Sequence, residues 1–181
     1  GLGGGSSNAA GIISTLTKKY NLQMPTYREI AVHVGSDVPF FITGKPANIF
    51  GIGDIVNPSN FQKDINMILV VPNERISTKD AFSMFDKLGQ DNLEINEYEE
   101  LKIFNDFWIP AQTLEPNLLK IKNNLESITN LDFYLSGSGS SMFSLGDTEE
   151  LTKKIDLIDL NQFKLVKLVK KIDFSFETIS D

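Results

Sequence analysis

Cysteine is absent from the 181-residue sequence, which excludes disulfides, thiolate zinc sites and cysteine nucleophiles. Long apolar runs are missing too, since no stretch reaches the roughly eighteen residues that a membrane helix requires. Basic residues number 17 against 24 acidic ones, and the formal net charge is −7. Nucleic-acid-binding domains normally carry a basic surface, so neither nucleic acid nor a membrane is an expected partner. A net acidic protein can still bind a nucleotide if local backbone donors hold the phosphates.

A run of three glycines stands near the start of the chain, before a segment with helical spacing of apolar residues. The opening segment Gly1–Asn8 reads GLGGGSSN, and Ile12, Ile13 and Leu16 follow it. Glycine-rich backbone before a helix can bind an anion, because unpaired N–H groups and the helix dipole both favour phosphate. The segment lacks the lysine of one common phosphate loop and the final glycine of another. From these residues alone, phosphate binding and an ordinary turn are equally open.

A second candidate is Asp37, in the segment Gly35–Phe41 that reads GSDVPFF. Pro39 restricts the backbone here and disfavours a helical conformation for Val38. A carboxylate at a fixed position could accept a proton from a substrate hydroxyl as a general base. The alternative is an Asx-turn, in which the carboxylate only bonds nearby backbone N–H groups. The residues alone favour that alternative.

The third candidate is a glycine- and serine-rich turn between two apolar segments, Leu135–Phe143, which reads LSGSGSSMF. Many hairpins have this composition, so the pattern is weak by itself. The pattern gains weight beside the glycine-rich segment at the start of the chain, because the two loops could face each other across a cleft.

The pattern of apolar residues and turn signals predicts an alternation of helices and strands. Helices are predicted for residues 7–19, 26–33, 78–88, 116–128 and 149–158. Strands are predicted for residues 40–43, 47–52, 67–71, 133–135, 142–145 and 163–174. A polar stretch at residues 57–63 suggests a domain boundary. The element order after it is typical of a ferredoxin-like α+β sandwich with one additional helix.

Taken together and in this order, the three segments resemble the motifs of the GHMP kinase superfamily, and the resemblance extends over essentially the whole chain. Within the superfamily, the triple glycine followed by Ser-Ser-Asn is most similar to kinases of non-mevalonate isoprenoid synthesis. Those enzymes use ATP to phosphorylate the 2-hydroxyl of a cytidine diphosphate-linked methylerythritol. Residues 104–106 and 115–116 fit the same group. There are two alternatives: another GHMP small-molecule kinase, or a non-catalytic nucleotide-binding relative.

The resemblance implies a role for each candidate residue. Asp37 would be the catalytic base and would contact the substrate alcohol. Thr78 and Phe82 would contact the cytidine part of the substrate, although Phe82 could equally be a core aromatic residue. The cleft would be lined by Gly137, Ser138 and Gly139, with Ser140 and Ser141 beside them. The ATP phosphates would be bound by Gly1, Leu2, Gly3, Gly4, Gly5, Ser6, Ser7 and Asn8. Mg²⁺ would accompany the ATP, and the resemblance assigns the metal no protein ligand.

The resemblance also implies an α+β fold with two GHMP kinase domains. Residues 1–60 would be the C-terminal part of the N-terminal, ATP-binding domain, which is similar to domain 2 of ribosomal protein S5. Residues 61–181 would form the ferredoxin-like C-terminal domain. The rest of the N-terminal domain, including a lysine that partners the base, would precede this chain, so the chain alone is expected to be inactive. The expected location is the bacterial cytoplasm or the plastid stroma.

Overall fold

A computed structural model describes residues 1–61, 63–89, 95–99 and 101–172. The chain divides into two compact units. We call Gly3–Lys63, with Ile172, the helical unit, and Gly1–Leu2 with Asp64–Lys171 the sheet unit. The assignment of residues 1–60 and 61–181 to the two GHMP domains remains a prediction.

Within its described residues, the helical unit consists of three helices and a β-hairpin. The helices are α1 (Gly4–Tyr20), α2 (Met24–Val34) and α3 (Val38–Thr43). The hairpin pairs β1 (Ala47–Phe50) with β2 (Ile55–Pro58) in antiparallel register. A small core holds the helices together, formed by Ala10, Ile13, Ala31 and Val38 with Ala9, Phe41 and Ile42 packed against it. Alanine at two of the buried positions allows the helix backbones to approach closely.

One predicted strand in this unit is wrong, because residues 40–43 belong to α3. The apolar run that suggested a strand is short, and short runs do not distinguish a buried strand from a buried helix. Pro39 lies in the first turn of α3, where a missing backbone N–H does no harm. Gly44 ends the helix in the left-handed conformation, with φ of 66°. The local sequence therefore supports a short helix as well as a strand.

The sheet unit contains a four-stranded antiparallel sheet in the order β6-β7-β3-β8. Its strands are β3 (Asn66–Val71), β6 (Tyr134–Leu135), β7 (Met142–Gly146) and β8 (Leu165–Lys170). Alternate residues Ile68 and Val70 of β3 are fully buried, as expected for a strand with one face on the core. The core is completed by Leu118, Leu125, Phe133, Leu135, Met142, Leu151 and Ile158. In chain order these strands have the ferredoxin-like arrangement, which confirms the fold predicted from the sequence.

Helices of the sheet unit follow its strands and carry several of the candidate residues. They are α4 (Thr78–Leu88), α5 (Trp108–Leu114), α6 (Asn117–Thr129) and α7 (Thr148–Ile155). The sequence predicted α4 without error and α6 to within one residue at each end. It missed α5 and the three-residue strands β4 (Asn96–Tyr98) and β5 (Leu101–Ile103), which pair with each other. Strands this short are too brief to show a period in hydrophobicity.

The remaining predictions agree with the structure apart from their boundaries. Helix α1 begins three residues earlier than expected, and α7 ends three residues sooner. The last strand is shorter than predicted, and residues 173 and 174 lie outside the described part of the chain. Within the described part, no helix combines the length and the apolar character needed to cross a membrane.

Candidate functional site

The glycine run that the sequence analysis singled out as a phosphate-site candidate lies at the start of α1, in a conformation other than the expected one. Residues Gly4–Asn8 were predicted mainly as a loop, whereas they form the first turns of the helix. Gly3 is the N-cap residue, with φ of 62°, and its carbonyl accepts a bond of 2.8 Å from the Ser7 N–H. Neither a side-chain cap nor an acidic residue is present in the first turn. The helix dipole and the first N–H groups are therefore offered to an external anion.

Glycine is required at position 3 for two physical reasons. A Cβ atom on Gly3 would lie 2.6 Å from the ring of Phe41, and the positive φ disfavours other residues. At Gly4 and Gly5 a Cβ atom would meet nothing within 4 Å. Glycine at these two positions keeps the surface over the helix N-terminus free of side chains, which leaves room for a ligand.

Asp37 is the N-cap residue of α3, and its side chain is exposed. Its carboxylate makes no capping hydrogen bond, so the structural alternative suggested by the sequence is not realised. The Asp37 carbonyl accepts a bond of 3.3 Å from the N–H of Phe41. Residues four apart lie on the same helix face, about one turn from each other. Because the Phe41 ring contacts Gly3, the helix turn that begins at Asp37 packs against the start of α1.

A second turn supports the backbone next to Asp37, and the sequence did not reveal it. Residues 51–54 connect β1 to β2, and a Cβ atom on Gly53 would lie 2.1 Å from the carbonyl oxygen of Ser36. Asp54 holds this turn by accepting a bond of 3.1 Å from the Ile52 N–H. Two glycines and an aspartate signal a tight turn, but they do not indicate which backbone the turn packs against.

In the sheet unit, the glycine- and serine-rich segment Ser136–Ser141 forms a turn that we call the Gly/Ser turn. The Ser136 N–H donates to the Ser141 carbonyl over 2.9 Å, and the Gly139 N–H donates to the Ser136 carbonyl over 3.0 Å. Gly137 and Gly139 both have positive φ. The hydroxyl of Ser136 donates to the Gly1 carbonyl over 2.7 Å. The turn therefore contacts the first residue of the glycine-rich segment, while Leu2 beside it is about half exposed.

The two residues proposed to contact cytidine lie on one face of α4, next to this turn. The hydroxyls of Thr78 and Ser138 are 3.2 Å apart, within hydrogen-bonding distance. Phe82 is 53% exposed, so it is not the core aromatic residue that the sequence allowed. Its ring packs edge-on against Phe107, with centroids 4.7 Å apart. An exposed aromatic ring that is held in place by a second ring is suited to stacking on a planar ligand.

Substitution of Ser77 tests whether the stability of α4 depends on its N-cap. The Ser77 hydroxyl accepts a hydrogen bond of 3.3 Å from the Asp80 N–H. We expect Ser77→Ala to lower the free energy of unfolding by about 1 kcal/mol, the usual effect of losing such a cap. Urea denaturation measures it. Ser83→Ala, at an exposed interior position of the same helix, should be neutral or slightly stabilising. Equal losses in both variants would contradict a role for the cap.

Asn105 is a residue of this region to which the sequence gave no role. Its side-chain amide donates to the carbonyls of Leu135 and Gly137, over 2.8 and 2.9 Å. Its Oδ1 atom accepts a bond of 2.9 Å from the Phe107 N–H. The resemblance included residues 104–106, but an asparagine in a predicted loop indicates only a turn. Its contact with a strand end about thirty residues away has no local signal.

A cavity of about 70 Å³ lies between β5, the start of α5, α6 and β6. Its wall includes Trp108, which is partly buried against the core, and the ammonium of Lys122 lies 5.8 Å from the centre of the Trp108 ring. Tyr134 also lines it, and burial, with the nearby Asp132 and Glu126 carboxylates, raises the pKa of its phenol. The cavity includes none of the candidate substrate residues on α4.

No group of three or more His, Asp or Glu side chains that could hold a metal ion occurs among the described residues. Asp37 is the one carboxylate that the sequence analysis put forward for the reaction, and it belongs to no such group. Mg²⁺ bound to a nucleotide commonly uses one or two protein carboxylates and takes its other ligands from phosphate and water.

The chain is similar to known proteins in both sequence and structure. No protein-family model matches the chain. A 4-diphosphocytidyl-2-C-methyl-D-erythritol kinase of Bacteroides fragilis strain YCH46 is 36% identical over 166 residues, covering 86% of this chain and 60% of that protein. An enzyme of the same name from Methylacidiphilum infernorum is 33% identical over 177 residues, covering 90% of this chain and 58% of its own length. Both are similar to this chain along most of its sequence.

A solved structure is similar to this chain in fold. The crystal structure of 4-(cytidine 5'-diphospho)-2C-methyl-D-erythritol kinase matches with a TM-score of 0.71 and 22% sequence identity, over 93% of this chain and 65% of that one. The fold of this chain is therefore a GHMP kinase fold. By sequence, the chain is a homologue of the 4-diphosphocytidyl-2-C-methyl-D-erythritol kinases, which confirms the resemblance seen in the three motifs. It spans about 60% of the length of the relatives it matches.

Proposed function

We propose that the protein containing this chain transfers the terminal phosphoryl group of ATP to the 2-hydroxyl of 4-diphosphocytidyl-2-C-methyl-D-erythritol. The observation that carries the proposal is the start of α1, uncapped and without acidic side chains, which packs through Gly3 and Phe41 against the helix that begins at the exposed Asp37. An anion-binding helix terminus and a general base are the two parts that such a reaction requires. The names of its relatives agree with this chemistry.

In the proposed reaction, the N–H groups at the start of α1 bind the phosphate oxygens and offset their charge. The Asp37 carboxylate accepts the proton of the substrate hydroxyl. The hydroxyl oxygen then forms a bond to the terminal phosphorus as the bond to the bridging oxygen breaks, and ADP leaves. Such transfers depend mainly on positioning and on charge stabilisation, so a fixed helix terminus and one carboxylate are a plausible protein contribution.

Mg²⁺ is proposed as the cation that accompanies ATP. When bound, it would neutralise charge on the phosphate oxygens. The described residues supply no dedicated metal cluster. We therefore assign no step of the reaction to a protein-held metal.

The cytidine part of the substrate is proposed to bind at the sheet unit. Phe82 would stack on the cytosine ring, and the Thr78 hydroxyl would bond to the polar edge of the nucleoside. Gly137, Ser138 and Gly139 of the Gly/Ser turn would line the same site. This proposal is supported by the exposure of Phe82 and by the short distance between Thr78 and Ser138.

The test is to express the complete gene product that contains this chain and to measure ADP release with different alcohols. We expect turnover with the cytidine diphosphate-linked methylerythritol, and at least about 100-fold lower kcat/KM with galactose, mevalonate or homoserine, since a site built for a polar group rejects analogues that lack it. Preference for one of the other alcohols would indicate a different GHMP kinase. Nucleotide binding without any transfer would indicate a non-catalytic relative.

The 181-residue chain by itself is expected to show no measurable turnover. It covers about 60% of the length of its relatives, and the resemblance assigns the lysine that partners the base to a region outside it. Within the described residues of the helical unit, no cation is paired with Asp37. A coupled ADP assay on the purified chain, with the complete gene product as the positive control, measures this. Robust turnover by the chain alone would contradict the prediction.

The proposed location is the bacterial cytoplasm or the plastid stroma. The relatives from Bacteroides fragilis and Methylacidiphilum infernorum are bacterial proteins. Cell fractionation with an antibody against the chain would test the location.

A further inference from the structure

The amide of Asn105 is fully used within the sheet unit. Both hydrogens of Nδ2 are donated to backbone carbonyls, those of Leu135 and Gly137, and Oδ1 accepts from the Phe107 N–H. Of the uncharged side chains of this size, only asparagine offers two donors and an acceptor on one planar group. Aspartate has the same shape but can only accept when ionised. The three bonds therefore require asparagine at this position.

The two ends of this amide connect to the two parts of the proposed cytidine site. On one side, Phe107 supports Phe82 through their edge-on contact at 4.7 Å. On the other side, Gly137 belongs to the Gly/Ser turn, whose Ser138 lies 3.2 Å from Thr78. Asn105 itself is half-buried and does not need to contact a ligand.

We propose that Asn105 is a positioning residue that sets the spacing between the Phe82 ring and the Gly/Ser turn, and so selects a nucleobase of the size of cytosine. This inference rests on the proposed function and adds a determinant of substrate specificity to it. Buried or half-buried hydrogen bonds of this kind hold neighbouring groups to within a few tenths of an ångström. Loss of the amide donors would let the turn move relative to the ring, whereas the N–H groups in the first turn of α1 share no hydrogen bond with Asn105.

The test is Asn105→Asp in the complete gene product. The carboxylate keeps the acceptor for Phe107 but replaces two donated bonds by repulsion from two carbonyls. We expect KM for the cytidine alcohol to rise roughly tenfold, the effect of losing one to two such bonds, with KM for ATP changed by less than about twofold. Calorimetry with cytidine 5'-diphosphate should show a similar loss of affinity. Equal changes in both KM values, or no change in the alcohol KM, would overturn the inference.

Two further variants keep the test decisive. Asn73→Asp removes an amide bond of 3.0 Å to the Gln162 carbonyl and adds the same charge elsewhere in the sheet unit, and it should leave both KM values within about twofold. If Asn105→Asp does not fold, Asn105→Ala replaces it, because that change removes both donated bonds without adding a charge. It should raise KM for the alcohol selectively, and an unchanged value would overturn the inference.

The outcomes also separate this inference from the proposed function. A wild-type protein that turns over the alcohol, together with an Asn105→Asp variant of unchanged specificity, refutes the role of Asn105 alone. A wild-type protein that binds cytidine diphosphate but transfers no phosphoryl group refutes the kinase proposal. In that case a selective loss of cytidine diphosphate affinity in Asn105→Asp would still support the positioning role, and an equal affinity would refute it.

Discussion

Replacement of Asp37 by asparagine in the complete gene product should lower kcat by about 100-fold or more, the range expected for loss of a general base. Asparagine has nearly the same shape but cannot accept the hydroxyl proton at neutral pH. Because the Asp37 side chain makes no capping bond, α3 should keep its stability. Steady-state assays at saturating ATP and alcohol, with thermal unfolding of the same samples, measure the two effects separately.

The matched control for this variant is Asp156→Asn, an exposed aspartate at the C-terminal end of α7. It changes the net charge by the same amount and should leave kcat within about twofold. A near-wild-type rate for Asp37→Asn would remove Asp37 from its proposed role. A comparable loss in both variants would point to a general charge effect, which higher ionic strength would screen.

The sheet unit was the more predictable half of the fold. Alternating burial of Ile68 and Val70 follows directly from the period of a strand with one buried face. The limits of α4 were predictable because Ser77 caps one end and Gly89 follows the other. The conformation of residues 40–43 was not predictable, because a short run of large apolar residues is compatible with a strand and with a helix equally. These residues pack against α1, and this tertiary contact favours the helix.

The candidate site shows the same division between local and long-range information. Gly3 and Asp37 were found from the sequence because each has a local physical signature, a glycine run before a helix and an aspartate at a restricted backbone position. The contact of Gly53 with Ser36, and the bonds of Asn105 to Leu135 and Gly137, join segments that are distant in sequence. The residue types signal turns, but the partner backbone is determined only by the folded topology.

Gly53→Ala should therefore have a large effect on activity, although the residue is not part of the proposed chemistry. The added Cβ atom would lie 2.1 Å from the Ser36 carbonyl oxygen and 2.8 Å from its carbon. Both are backbone atoms, so the clash is relieved only if Ser36, or the hairpin turn itself, moves. Asp37 is the next residue, and a displacement of about 1 Å at a catalytic group can lower a rate by roughly 100-fold. We expect kcat of the complete gene product to fall by about 10- to 100-fold.

Gly89→Ala provides the control that separates this contact from backbone strain. Gly89 also has positive φ, 74° against 99° for Gly53, but its Cβ atom would meet nothing within 4 Å. Both variants should lose about 1–2 kcal/mol of stability from an unfavourable φ, measured by urea denaturation. Only Gly53→Ala should lose a further 1–3 kcal/mol from overpacking together with the rate. Equal kcat values for the two variants would show that the hairpin turn does not hold the Asp37 backbone in its working position.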